Sequence, residues 1–149
     1  MSDSTGRVIL IGCVAQKSDC PMPAKDLYTS NLFRARRVYA EASGRPWSIV
    51  SAEFPGILHP DAVTAPYNRR ITELTPMEHR IWRDCVQRRA IEDFGDGIKG
   101  ATVEVHAGAP YVEALTDALV SRFGLTIEAP LAGLFIGQQL AWYKARRPS

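Results

Sequence analysis

The sequence predicts an α/β fold, a mainly parallel four-stranded sheet with helices on both faces in a three-layer, Rossmann-like arrangement. Three observations carry that expectation. Residues 7–14, from Arg7 to Val14, form a short continuous apolar run ending in small residues, the pattern of a central parallel strand buried on both faces. Short apolar runs then alternate with amphipathic stretches in the order β-α-β-loop-α-β-α-β-α, which is the order of parallel crossovers. Finally, 149 residues with 46% hydrophobic and 23% charged side chains can bury a sizeable core without a metal or a disulfide. With no repeat, low-complexity tract or linker in view, residues 1–149 read as a single α/β domain.

Each element has a local cause. After the first strand, residues 15–26 carry Lys17, Ser18 and Asp19 and the Pro21 and Pro23 punctuation, which predicts a loop. A helix follows from the Ser30 cap to the Ser43-Gly44 stop, with Leu32, Ala35, Tyr39 and Ala42 as its buried stripe. Arg34, Arg37 and Glu41 take its opposite side. Trp47 to Ala52 reads as the second strand, whereas Pro55, Gly56 and Pro60 predict irregular chain over 53–61, continuing to Leu74.

Thr75, Pro76 and Glu78 form the clearest local signature, an N-cap with proline at the first helical position and glutamate three residues after the cap. The helix it starts runs to about Phe94 with a stripe of Met77, Ile81, Trp82, Cys85 and Val86, and ends at the Gly95 to Gly97 turn. Ala101 to His106 alternates as the third strand, and Pro110 to Phe123 is an amphipathic helix stopped by Gly124. A short fourth strand at 125–127 and a last helix at 136–146 complete the order. The exposed end of that helix, with Trp142 and Tyr143, either packs on the core or serves as a homodimer face.

Composition excludes several classes. No apolar run approaches the ~20 residues of a bilayer span, and the polar opening from Met1 to Gly6 has no secretory core, so the expected location is cytoplasmic and no membrane partner is expected. Cys13, Cys20 and Cys85 suit reduced thiols, and no metal site or cofactor is expected because no Cys or His pair has ligand spacing. Charge is uneven: residues 1–89 hold 13 basic and 9 acidic side chains, residues 90–149 hold 5 and 7, and 14 of the 18 basic residues are Arg. Arg is the side chain whose planar fork fits phosphate and carboxylate.

Four constellations bear chemistry. Gly12, Cys13 and Lys17 end the first strand, where glycine lets the backbone approach a ligand and lysine neutralises an anion. No P-loop and no dinucleotide fingerprint accompanies them. Asp26, Tyr28 and Ser30 lead into a helix N-terminus, a natural anion site, although Ser30 is equally explained as a cap. Ser51 and Glu53 with His59 and Asp61 follow the second strand. A glutamate at a strand's carboxyl end is where a nucleophile or general acid belongs, and Glu53 with Asp61 has the residue types of a glycosidase pair. The plainer alternatives are a salt bridge for Glu53 and local turn bonding for His59 and Asp61. Last, Tyr67 amid Asn68, Arg69 and Arg70 can stack on a base while an arginine holds phosphate, though adjacent arginines are commonly a solvated face.

The segments 9–17, 24–30, 50–53 with 58–61, and 66–68 resemble the YaaA-like proteins, and more closely their small single-domain bacterial and phage relatives. The stretch from Pro130 to Leu140 is similar to the ending of those small domains. The resemblance implies a peroxide-stress protein with DNA-binding character for the larger relatives, and puts weight on Lys17, Tyr28, Ser30, Ser51, Pro60 and Tyr67. Pro55 is an extra residue against that pattern, which bears on the direction of Glu53.

These readings lead to an enzyme acting on a nucleotide or a nucleic-acid base, cleaving or exchanging an N-glycosidic bond. Glu53, Asp61 and Tyr67 would form its catalytic group, and Gly12, Cys13, Lys17, Tyr28, Ser30, Ser51, His59, Asn68 and Arg69 would bind substrate. The alternative is a non-catalytic DNA-binding stress-response module using Arg34, Arg37, Arg69, Arg70, Arg80 and Arg83 on one surface. A redox sensor built on Cys13 ranks last.

Overall fold

In the computed structural model, residues 6–12, 22–27, 30–53, 56–64 and 70–146 are described. β1 (Arg7–Gly12), β3 (Trp47–Val50), β6 (Thr102–His106) and β7 (Thr126–Glu128) are parallel, and β4 (Ile57–Leu58) joins them antiparallel in the order β4-β3-β1-β6-β7. The sheet therefore has five strands where four were expected. The extra strand comes from the 53–61 segment, read from its prolines and glycine as irregular. Gly56 makes the reversal: its φ of +89° is open to glycine, its N–H donates to the Glu53 carbonyl at 2.8 Å, and its own carbonyl accepts from the Ser51 N–H at 2.8 Å. Ile57 and Leu58 are thereby laid against Val50 and Ile49.

A second correction concerns the two segments expected to be loops. Met22–Pro23 (β2) pairs antiparallel with Val63–Thr64 (β5), α1 (Ala24–Leu27) follows β2, and Ile71–Glu73 is a 3₁₀ turn. Pro23 is compatible with a strand because this two-stranded ribbon has edges at which a missing N–H costs nothing.

Helix boundaries follow the predicted caps. Ser30 Oγ accepts the Phe33 N–H at 3.1 Å at the start of α2 (Asn31–Ala42). Thr75 and Glu78 form a reciprocal capping box at the start of α3 (Pro76–Phe94). α4 (Ala109–Leu115) continues through a π turn at 116–120 into α5 (Ser121–Phe123), ended by Gly124 at φ +63°. α6 (Ile136–Ala145) is last.

The helix stripes are rotated from their expected centres. In α2 the buried positions are Phe33, Arg36 and Ala40, and Ala42 is exposed; in α3 they are Trp82, Val86 and Ala90. Met77 and Ile81 are 64% and 48% exposed, because the buried face of α3 is the one that carries Trp82, Val86 and Ala90 at four-residue spacing. Alternate residues of β1 feed two clusters: Val8 and Leu10 pack with Trp82, Val86, Leu115 and Leu119, and Ile9 and Ile11 pack with Phe33 and Ala40.

Gly56 and Gly44 separate two effects of a methyl group. A Cβ on Gly56 would meet Val86 Cγ2 at 2.5 Å and Trp82 Nε1 at 3.1 Å, whereas Gly44, at φ +71°, has nothing within 4 Å. Gly56→Ala is expected to lower unfolding stability by about 3 kcal/mol, overpacking added to backbone strain, and Gly44→Ala by about 1 kcal/mol from strain alone. Urea unfolding of the two variants checks this, and equal losses would refute the packing argument.

Candidate functional site

Parallel pairing sends the ends of β1, β3 and β6 to one edge of the sheet. The chain order reverses about β1, since β3 lies on one side of it and β6 on the other. In open α/β sheets the crevice at the carboxyl ends beside such a reversal is where ligands bind. Gly12 stands at this edge, and so do Ser51 and Glu53 just beyond β3 and the N-terminus of α2 at Ser30.

Glu53 is half-buried and its backbone is held from both sides. Its N–H donates to Ser51 Oγ at 3.0 Å and its carbonyl accepts from Gly56. Ser51 is fully buried, and its carbonyl accepts from Trp82 Nε1 at 2.7 Å. Ser51 is thus a scaffold for Glu53, in addition to lying where substrate binding was expected.

Gly12 has a packing reason for being glycine. An added Cβ would lie 2.6 Å from Ala107 Cβ, so the glycine lets β1 and the end of β6 close together. Its carbonyl accepts from Arg36 Nη1 at 3.1 Å. Ser30 caps α2, as its alternative reading had it.

His59 and Asp61 do not join Glu53. β4 runs back along β3, so the chain returns toward the amino end of that strand, and both residues line a surface cleft with Trp47, Ser48 and Asp93. The expected Glu53–Asp61 carboxylate pair is not formed there. Asp61 instead pairs with Lys25 Nζ at 2.7 Å, which holds its carboxyl below the ordinary range, and its N–H donates to His59 Nδ1 at 3.1 Å. Cys13, Lys17, Tyr28, Tyr67, Asn68 and Arg69 lie outside the described residues.

The expected arginine surface is divided. Arg34 and Arg37 belong to α2, whose buried residues pack with Ile9 and Ile11, and Arg80 and Arg83 to α3, whose buried residues pack with Val8 and Leu10. Arg37 pairs with Glu41 at 3.2 Å and Arg83 with Asp117 at 3.2 Å. Among the described residues, no three His, Cys, Asp or Glu side chains are grouped to hold a metal ion, and no helix is long and apolar enough to cross a membrane.

Sequence reasoning missed a buried polar network beneath this edge. Glu104 and His106 sit two apart on β6, opposite Ile9 and Ile11, and share the face covered by α2 and α6. Glu104 Oε1 accepts from Tyr39 Oη at 2.6 Å and lies 2.7 Å from His106 Nε2; Oε2 accepts from Arg7 Nη1 at 2.9 Å. Because a carboxylate only accepts, Nε2 is the protonated nitrogen. Nδ1 then faces the Tyr143 hydroxyl at 2.7 Å. Arg7 also reaches Glu128 on β7, and Arg36 reaches Gln139 on α6 at 3.3 Å.

Trp142 packs on Tyr39 and His106, with ring centroids 5.2 and 5.7 Å away, so the end of α6 is turned onto the core. The signal for the network was present in the alternation of residues 102–106. Val103 and Val105 take one face, and two ionisable groups take the other, in a strand central enough to bury both.

Burial raises the Glu104 carboxyl, but hydrogen bonds from His106 and Tyr39 and the Arg7 charge outweigh it and hold it at about 2. Burial and the Glu104 charge push the Tyr39 phenol up to about 12. Burial raises Tyr143 as well, against the nearby Arg36.

A family model matches residues 8–145, that of a family of unknown function (DUF6884), and the chain belongs to this family. No curated protein and no solved structure matches the chain.

Glu104 titrates lower in the folded chain than in the unfolded one, so its stabilisation is complete above about pH 5 and is lost as pH falls through 4.5 toward 2. The loss expected over that window is about 3 kcal/mol. Glu104→Gln should lower stability by a similar amount at pH 7 and flatten the acid dependence. Urea unfolding at pH 7, 4 and 3 measures both; an unchanged acid slope in the variant would exclude Glu104 as the group responsible.

Proposed function

We propose that this chain is an enzyme acting on a nucleotide or on a base in nucleic acid, cleaving or exchanging an N-glycosidic bond at the carboxyl edge of the sheet. The observation that carries the reading is Glu53: a half-buried carboxylate directly after β3, with its backbone clamped by Ser51 and Gly56, beside the reversal of strand order at β1. A carboxylate carried on a held backbone at the carboxyl edge of such a sheet suits an oxocarbenium-like transition state.

In this mechanism the substrate phosphate lies at the N-terminus of α2, where the helix dipole favours an anion. Glu53 faces C1′ of the sugar. As the C1′–N bond breaks, its electron pair leaves with the base, which takes up a proton from water. Glu53 forms the C1′–O bond or stabilises the cation. A water molecule then adds to C1′ as any bond to Glu53 breaks and its electron pair returns to the carboxylate, and the proton that this water loses neutralises the hydroxide left when the base was protonated. In exchange, a second base replaces that water. With Asp61 turned away, Glu53 serves alone, which fits nucleophilic or electrostatic assistance better than the two-carboxylate arrangement.

Lys17, Tyr28 and Tyr67 keep the phosphate-binding and base-stacking parts expected from sequence, and kinship with YaaA-like proteins belongs to the same reading. So do the three-layer Rossmann-like description and the cytoplasmic location. The two apolar clusters on alternate residues of β1 support the first of these.

The test is to incubate the full chain with nucleoside monophosphates, modified ones included, and with single- and double-stranded DNA, and to detect free base by chromatography and mass spectrometry. Released base is expected, with Glu53→Gln slowing it by at least about 100-fold while substrate binding is retained. Turnover at the wild-type rate in Glu53→Gln would remove Glu53 from the mechanism.

A further inference from the structure

A groove of about 340 Å³ lies between α2 and α6, backed by two tyrosines of the buried network. Its floor is aromatic. Tyr39 and Tyr143 line it, but their hydroxyls are committed inward to Glu104 and His106, so the rings supply apolar surface to the groove. Ala35 and Leu140 extend that surface, as does Val38, a large aliphatic side chain left 45% exposed.

The rim is cationic. Arg34, Lys144 and Arg146 are the charged residues among the described lining, and none of that lining is acidic. The Arg146 guanidinium is fixed in place, 3.8 Å from the Trp142 ring centroid and donating to the Trp142 carbonyl at 3.2 Å. A guanidinium already stacked and bonded gives up little freedom when it meets an anion. Asn31, in the first turn of α2, adds a polar group at the end of the groove where the helix dipole is positive.

From this combination we infer that the α2/α6 groove binds a small aromatic anion, a planar ring carrying one phosphate or carboxylate group. The ring lies along Tyr39, Val38 and Leu140, and the anionic group meets Arg34, Lys144 and Arg146. A neutral ring would leave the three cations unanswered, and an inorganic ion would leave the apolar wall wet. The volume is at the small end of ligand sites, which suits a single-ring or fused-ring molecule rather than a polymer. The groove shares the start of α2 with the proposed phosphate position, and it is distinguished from the proposed reaction by Lys144 and Arg146 on the far side, which that reaction does not use.

Calorimetric titration of the full chain at fixed ionic strength, with phenyl phosphate, benzoate, phenol, inorganic phosphate and an oligothymidylate as probes, tests it. Phenyl phosphate or benzoate is expected to bind at least about tenfold more tightly than phenol or inorganic phosphate. Arg34→Gln combined with Lys144→Gln should weaken that binding by about tenfold or more, with the thermal midpoint unchanged because both side chains are on the surface. Val38→Glu, which sets a carboxylate in the groove, should abolish it, and Glu53→Gln should leave it intact. No measurable binding of either aryl anion, equal affinity for phenol or inorganic phosphate, or undiminished binding in the Arg34 and Lys144 variant would each overturn the assignment. Tighter binding of the oligothymidylate, lost in the same variant, would overturn it in favour of a nucleic-acid surface.

Discussion

One buried carboxylate joins most of the molecule. Glu104 on β6 takes bonds from Arg7 on β1, from Tyr39 on α2 and from its neighbour His106, and His106 extends the chain to Tyr143 on α6. Two central strands and both helices of that face therefore share a single charge. Such an arrangement is stable only if every donor arrives together, because a carboxylate left in a low-dielectric interior without partners is more costly than an apolar residue there. The network specifies how α2 and α6 sit on the sheet, a matter apolar packing alone leaves loose.

That positioning reaches both candidate sites. Arg36 spans from Gly12, at the carboxyl end of β1, to Gln139 on α6, so the edge where Glu53 lies and the helix pair that forms the groove are braced by the same side chain. The two sites differ in construction. The first is an edge of backbone ends and helix N-termini, and the second is a trough between parallel helices with a cationic border.

Element existence was legible wherever the signal was local. The Thr75-Pro76-Glu78 start, the Ser30 cap and the Gly124 stop are chemistry within four residues, and each is found where the sequence puts it. The β3–β4 hairpin was not legible, because Gly56, which argues against a strand, is the residue that makes its reversal and leaves only Ile57 and Leu58 to pair. Helix faces were misjudged for a related reason. Met77 and Ile81 have the spacing of a core stripe, but which face of α3 meets the sheet is a tertiary fact, and it is the face of Trp82, Val86 and Ala90. At the site, Glu53 and Ser51 could be placed at a strand end from the strand alone. Glu104 and His106 were less legible because nothing local marks strand 102–106 as central, and only in a central strand do polar residues at alternate positions become buried.

The position of β6 between β1 and β7 also has a consequence for the order of synthesis. While only the first half of the chain has emerged from a ribosome, β1 can pair with β3 on one side, but its other side has no partner until residues 102–106 are made. During that interval Arg7 and Tyr39 lack the carboxylate that later receives them, and the emerged residues 1–89 carry four more basic than acidic side chains. The arrival of the Glu104 strand gives β1 its second neighbour and brings Arg7 and Tyr39 the carboxylate they bond, so the centre of the sheet and its polar network are completed together.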